Sequence, residues 1–82
     1  DDLVHIGQGS YIGESSQITA GCILASYVKI GECCFLGVGT SVKEQVEISD
    51  RAIIGMGSVV VSNLKINATY MGIPAKKMMV EW

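Results

Sequence analysis

Few side chains in this 82-residue chain can do chemistry near neutral pH. His5 is the single imidazole, the one side chain whose ordinary pKa suits proton transfer there. Cys22, Cys33 and Cys34 make an odd set without a C-x-x-C pair, so neither a disulfide framework nor a zinc site is expected. They read as small buried or half-buried thiols of a reducing cytoplasm. A three-histidine zinc centre is excluded by the single histidine. No G-x-S-x-G and no G-K-[ST] occurs, which removes the serine-nucleophile and phosphate-loop readings. Asn67-Ala68-Thr69 matches the glycosylation acceptor pattern, a short pattern that chance supplies.

The elements that must carry these groups follow from a repeat. From Ile6, steps of six meet Ile12, Ile18, Leu24, Ile30, Leu36, Val42, Ile48, Ile54, Val60 and Ile66, all aliphatic. Four residues after each come Ser10, Ser16, Cys22, Val28, Cys34, Thr40, Val46, Ala52 and Ser58, all small or β-branched; Leu64 and Tyr70 end the series as large residues. Six residues turn a helix by about 600°, which scatters the aliphatics around it. One long strand would put Gln8, Glu14, Glu32, Glu44 and Asp50 on the aliphatic face. A short strand and a sharp corner every six residues avoids both conflicts.

Three such segments close a triangular coil of 18 residues, and coils stack as parallel strands about 4.8 Å apart. The expected fold is all-β, a single-stranded parallel β-helix over residues 1–66 with a closing segment and tail over 67–82. Spacing of 18 puts Gly21, Gly39 and Gly57 in register, and likewise Gly37 and Gly55. It stacks Ile12 on Ile30 on Ile48 inside. Outside it makes three columns: Tyr11, Lys29, Glu47 and Lys65; Gln17, Phe35, Ile53 and Met71; His5, Ile23, Ser41 and Val59. Exposed apolar columns imply contact with something, most simply further copies of the chain in a threefold ring. The alternative is that the C-terminal tail covers part of them. The stretch "AKKMMVEW" is read as a short helix capping the prism through Met78, Met79 and Trp82.

Composition narrows the partners. The formal charge of −2 offers no basic field for nucleic acid or an anionic membrane. No apolar run reaches the roughly 18 residues that cross a bilayer.

"IGECCFLGVGTSV", followed by "AIIGMGSVVVSNLKINATYMGIPAKKM", resembles the C-terminal half of the left-handed β-helix, hexapeptide-repeat acyltransferases. It is most similar to the sialic-acid-type sugar O-acetyltransferases and the related sugar N-acetyltransferases. The closing G-I-P-A-K-K resembles that family's G-x-P-A-K/R segment. Left-handedness comes from this resemblance alone, since parallel crossovers ordinarily prefer the opposite hand. The resemblance implies a homotrimer that takes acetyl-CoA as cosubstrate and acetylates a hydroxyl or amine, on a sugar-type acceptor, without a metal. It implies that the Gly37/Gly39 and Gly55/Gly57 corners, with Thr40 and Ser58, line the pantetheine arm, and that Lys76 and Lys77 meet the nucleotide phosphates. Corner geometry alone also accounts for glycine at these positions.

The family's base is a histidine, and the same alignment sets Gln8 at its position and Gln17 at a second histidine. Glutamine takes no proton at neutral pH. His5, three residues upstream, is then the candidate catalytic base. The alternative is a non-catalytic β-helix trimer, an assembly module or a CoA-binding relict.

Overall fold

The structure is a computed structural model that describes residues 3–78. Twelve short strands follow one another in it. They are β1 (His5–Ile6), β2 (Tyr11–Ile12), β3 (Gln17–Ile18), β4 (Ile23–Leu24), β5 (Lys29–Ile30) and β6 (Phe35–Leu36). Then come β7 (Ser41–Val42), β8 (Glu47–Ile48), β9 (Ile53–Ile54), β10 (Val59–Val60), β11 (Thr69–Met71) and β12 (Lys76–Lys77). They stack as three sheets, β1-β4-β7-β10, β2-β5-β8 and β12-β11-β9-β6-β3. The result is a left-handed parallel β-helix of about four turns, 33 × 22 × 20 Å.

The corners show how six residues suffice. Every sixth residue from Leu3 to Gly57 has a positive φ, between 57° and 76°. A single left-handed residue swings the chain from one face to the next. Glycine fills four of the ten positions; Leu3, Ser15, Tyr27, Cys33, Gln45 and Arg51 accept the conformation at some cost.

Inside, the aliphatic columns pack as the spacing implies. Ile12 pairs with Ile30 and Ile30 with Ile48. Leu24, Ile30, Leu36, Ile48, Ile54 and Val60 are wholly buried. The small residues four positions later also face inward and stitch successive coils. Ser10, Ser16, Cys22 and Cys34 donate to the carbonyls of Ala25, Gly31, Gly37 and Ser49 at 3.0, 2.6, 3.2 and 3.0 Å. Each acceptor lies 15 residues ahead, so a small polar side chain here completes the coil above it. Among the described residues nothing packs below the first coil, and Ile6 is 47% exposed where Leu24 above it is 0%.

The sixfold step does not survive to Ile66. The last coil is two residues short, because Ile48 pairs with Leu64 and Ile54 with Tyr70. Leu64 and Tyr70 are therefore the inward residues, and Ile66 is exposed. The outer columns shift with them: Lys65 leaves the Lys29–Glu47 column, and Thr69, not Met71, follows Ile53. Tyr70 is buried in the core cluster and donates its hydroxyl to the Ile66 carbonyl at 2.6 Å. A large side chain is accommodated on this shortened coil, where β12 and not another full coil lies alongside β11.

The closing segment also differs from the expected helix. Residues 72–75 turn, and β12 returns antiparallel on β11, with Tyr70 opposite Lys77 and Met71 opposite Lys76. Met78 N–H reaches the Thr69 carbonyl at 2.8 Å, which keeps it in the same ladder. A returning strand satisfies the edge of β11, which a helix would leave open. Met79 and Trp82 lie outside the described residues.

Candidate functional site

Each of the prism's three edges has its own chemistry. The edge at residues 13–16, 31–34 and 49–52 carries Glu14, Glu32 and Asp50, and Asp50 Oδ1 accepts the Glu32 N–H at 2.8 Å. The edge at 7–10, 25–28 and 43–46 carries Gln8, Ser26, Tyr27 and Gln45. The third, at 19–22, 37–40 and 55–58, is apolar and glycine-rich.

This third edge collects most of the sequence-predicted site. Gly21, Gly39 and Gly57 hold its left-handed positions, at φ of 76°, 75° and 71°. A Cβ on Gly39 or Gly57 would meet nothing within 4 Å, so both leave bare backbone facing outward. Val38, Met56 and Ile73 stand beside them, exposed by 54%, 75% and 77%. Among the described residues the N–H groups of Val38 and Met56 find no main-chain acceptor. His5 lies at the foot of this edge, two residues past the left-handed Leu3. Lys76 and Lys77 lie at its head, exposed on β12.

Other members of the predicted set face elsewhere. Gly37 and Gly55 point at the next coil: a Cβ would lie 2.6 Å from Met56 N and from Met71 Cε, respectively. At Gly37 the clash is with backbone, so stacking requires glycine; at Gly55 it is with the end of the flexible Met71 side chain, which can move aside. Thr40 and Ser58 are buried within the prism. Thr40 Oγ1 donates to the Gly37 carbonyl at 2.8 Å, and Ser58 Oγ accepts the Gly72 N–H at 3.2 Å. Both hydroxyls shape the edge from inside; they do not line its outer surface. The sixfold pattern already carried that signal, since both occupy its small inward position.

Gln8 is exposed and donates Nε2–H to the Tyr27 hydroxyl at 3.0 Å, on a different edge from His5. Among the described residues no group of three or more His, Cys, Asp and Glu could hold a metal ion. Val38, Met56 and Ile73 were missed in the sequence because periodicity marks inward positions and says nothing about which corner stays bare.

No family model matches the sequence. Among solved structures, the chain is similar to perosamine N-acetyltransferase from Caulobacter crescentus, solved in complex with CoA and GDP-perosamine. The identity is 30% and the TM-score 0.73, over 95% of this chain and 52% of that one. A histidine-to-asparagine mutant of that enzyme, with the same two molecules, gives 29% and 0.76 over 95% and 51%. A hexapeptide transferase family protein from Anaplasma phagocytophilum shares the fold at 20% identity and TM-score 0.71, over 92% and 54%. The chain spans about half the length of the structures it matches. Its structural neighbours are thus hexapeptide-repeat acetyltransferases, and the chain fits that family. Within the family the likeness is to the sugar N-acetyltransferases.

Proposed function

We propose that the chain binds acetyl-CoA along the glycine edge and serves acetyl transfer to a hydroxyl or amine of a sugar-type acceptor. The observation that carries this is the composition of that edge from foot to head. Lys76 and Lys77 offer two cations for the nucleotide phosphates. Below them, Gly57 and Gly39 present backbone without side chains, beside the apolar Ile73, Met56 and Val38. The pantetheine arm alternates amide and hydrocarbon, and an edge alternating free N–H groups and apolar side chains complements it. From β12 down to the coil of β1 is four strand spacings, roughly 19 Å. An extended pantetheine spans such a distance, which sets the thioester near the height of His5. The CoA and GDP-perosamine bound to the similar enzyme support the same reading.

In this reading the acceptor oxygen or nitrogen attacks the thioester carbon, and its proton passes to the imidazole of His5. Backbone N–H groups of the edge hold the oxyanion. Collapse of the tetrahedral intermediate breaks the C–S bond, and the CoA sulfur takes the proton from His5. The apolar edge, with Phe35 and Ile53 on one flank and Ile23 on the other, is also the surface by which three copies assemble. Cys22 and Cys34 are buried free thiols and Cys33, against expectation, is an exposed one; free thiols support a cytoplasmic reading.

One observation favours the second reading, a β-helix that binds CoA without turnover. Gln8 is fixed to Tyr27, and His5 is the only imidazole in the sequence. Thermal unfolding with acetyl-CoA tests binding: at about a hundred times Kd the chain gains about 2.7 kcal/mol. CoA thiol release with a panel of amino- and hydroxy-sugars, for wild type and His5→Ala, tests turnover. Binding without thiol release selects the second reading; equal release by both proteins removes His5 from the chemistry.

A further inference from the structure

The edge at residues 7–10 and 25–28 carries a second, separate arrangement. Its two lower rungs, Gly7-Gln8-Gly9-Ser10 and Ala25-Ser26-Tyr27-Val28, bear no charge, whereas its third, Lys43-Glu44-Gln45-Val46, does, and each rung of the 13–16, 31–34 and 49–52 edge has a carboxylate. Tyr11, on the strand that follows the first rung, has Lys29 as its neighbour in the next coil. Two of the chain's three tyrosines are here, Tyr11 57% and Tyr27 55% exposed. Tyr27 is built into place. Its backbone is left-handed at φ 61°, an uncommon state for a bulky residue. Its N–H donates to the Gln8 carbonyl at 2.9 Å, and its hydroxyl takes the Gln8 Nε2–H at 3.0 Å. Its ring lies against Gly9, where a Cβ would come within 2.4 Å of Cε1, so any larger residue at 9 displaces the ring. Tyr11 follows two residues on, its N–H bonded to Val28 at 2.9 Å.

We infer that this corner is a carbohydrate-binding platform, with the Tyr27 ring as its floor. The weakly positive C–H face of a pyranose packs on the negative face of an aromatic ring. The Gln8 amide keeps its oxygen and one N–H for sugar hydroxyls, and Ser26 adds a hydroxyl. Uncharged amides, hydroxyls and tyrosines match a neutral or amino sugar better than a phosphate or a peptide. The inference deepens the proposed function, since it rests on the acceptor being a sugar, but it concerns a different edge from the CoA path.

The test is a titration followed by NMR of the tyrosine rings. The probes are the methyl glycosides of glucosamine and galactosamine; sorbitol is the control, an open-chain polyol with hydroxyls but no ring face. Saturable shifts of Tyr27 and Tyr11 with a glycoside and not with sorbitol are expected. Tyr27→Ala should weaken glycoside binding about ten-fold, the order of one stacked aromatic contact. Tyr27→Phe keeps the ring and should stay within about three-fold of wild type, the loss of one exposed hydrogen bond. Stabilisation by acetyl-CoA should be unchanged in both variants, which also reports that they are folded. Silent tyrosine rings, or equal glycoside affinity in Tyr27→Ala, overturn the platform while leaving CoA binding standing. Glycoside binding at Tyr27 in a chain that acetyl-CoA does not stabilise keeps the platform and sinks the proposed function.

Discussion

Asn63 Oδ1 accepts the backbone N–H of Glu47 at 2.8 Å, in the place that a main-chain carbonyl holds on the coils below. There, Tyr11 N–H reaches Val28 and Lys29 N–H reaches Val46. The short last coil supplies no carbonyl at that height, and an amide side chain substitutes for it. Leu64 then resumes the ladder, donating to Glu47 at 2.9 Å and accepting from Ser49 at 2.8 Å. Asn63→Ala should therefore destabilise by about 1 kcal/mol, through an unpaired main-chain donor. That corresponds to about 4–8 °C in melting temperature for a chain of this size. An unchanged melting curve would show that water replaces the amide at no cost.

Two glycines of one corner should respond differently. Alanine at Gly39 enters open space and meets only the left-handed backbone, a cost of about 1 kcal/mol. Alanine at Gly37 runs into the backbone nitrogen of Met56 at 2.6 Å and must push coils apart, about 3 kcal/mol. Urea unfolding of the two variants orders them; a Gly39→Ala loss as large as that of Gly37→Ala would contradict the geometry.

Thr40 separates stability from ligand binding. Thr40→Val keeps the shape and removes the hydroxyl bond to the Gly37 carbonyl, which retains the Cys22 thiol and the Thr40 N–H at 3.2 Å each, so the cost should be about 1 kcal/mol. Its hydroxyl does not reach the outer edge, so acetyl-CoA affinity should not change. An affinity loss with intact stability would return Thr40 to the cosubstrate path.

For the lysines, the comparison is between CoA and a pantetheine that lacks the nucleotide. Lys76→Ala and Lys77→Ala should each weaken CoA about three-fold, the scale of an exposed ion pair, and more clearly at low salt. Pantetheine affinity should be the same in both variants and wild type. Calorimetric titration that finds both ligands weakened equally would place the lysines in a structural role on β12.

Assembly is expected to depend on the same edge. Met56→Glu puts a charge on a 75% exposed side chain, so the isolated fold should tolerate it within about 0.5 kcal/mol. A trimer formed through that edge should dissociate. Light scattering that shows one mass for wild type and Met56→Glu would remove Met56 from any interface.

Much of this architecture can be read directly from residue types. An aliphatic at every sixth place, with small residues four later, is compatible only with a coil whose corners recur at that spacing. The inward columns through Ile54 and Val60 and the solvated Tyr11–Lys29–Glu47 column all follow. The exposed pair Lys29 and Glu47 meets at 3.5 Å as its column implies. The register of the last coil does not follow, because Leu64 and Ile66 are equally aliphatic and either could face inward. What decides between them is the two-residue-shorter last coil, which pairs Ile48 with Leu64 and Ile54 with Tyr70.

The sequence by itself determined the three-sided solenoid and the order of its inner columns, because side-chain periodicity in stacked strands is a local property repeated without change. Only the tertiary structure decided which corner is bare. Gly37 and Gly39 look alike on paper, yet one Cβ position points at the next coil and the other at open space. It also decided that the Tyr27 ring lies against Gly9. Those outcomes depend on contacts between residues 18 apart, which exist once the coils have stacked.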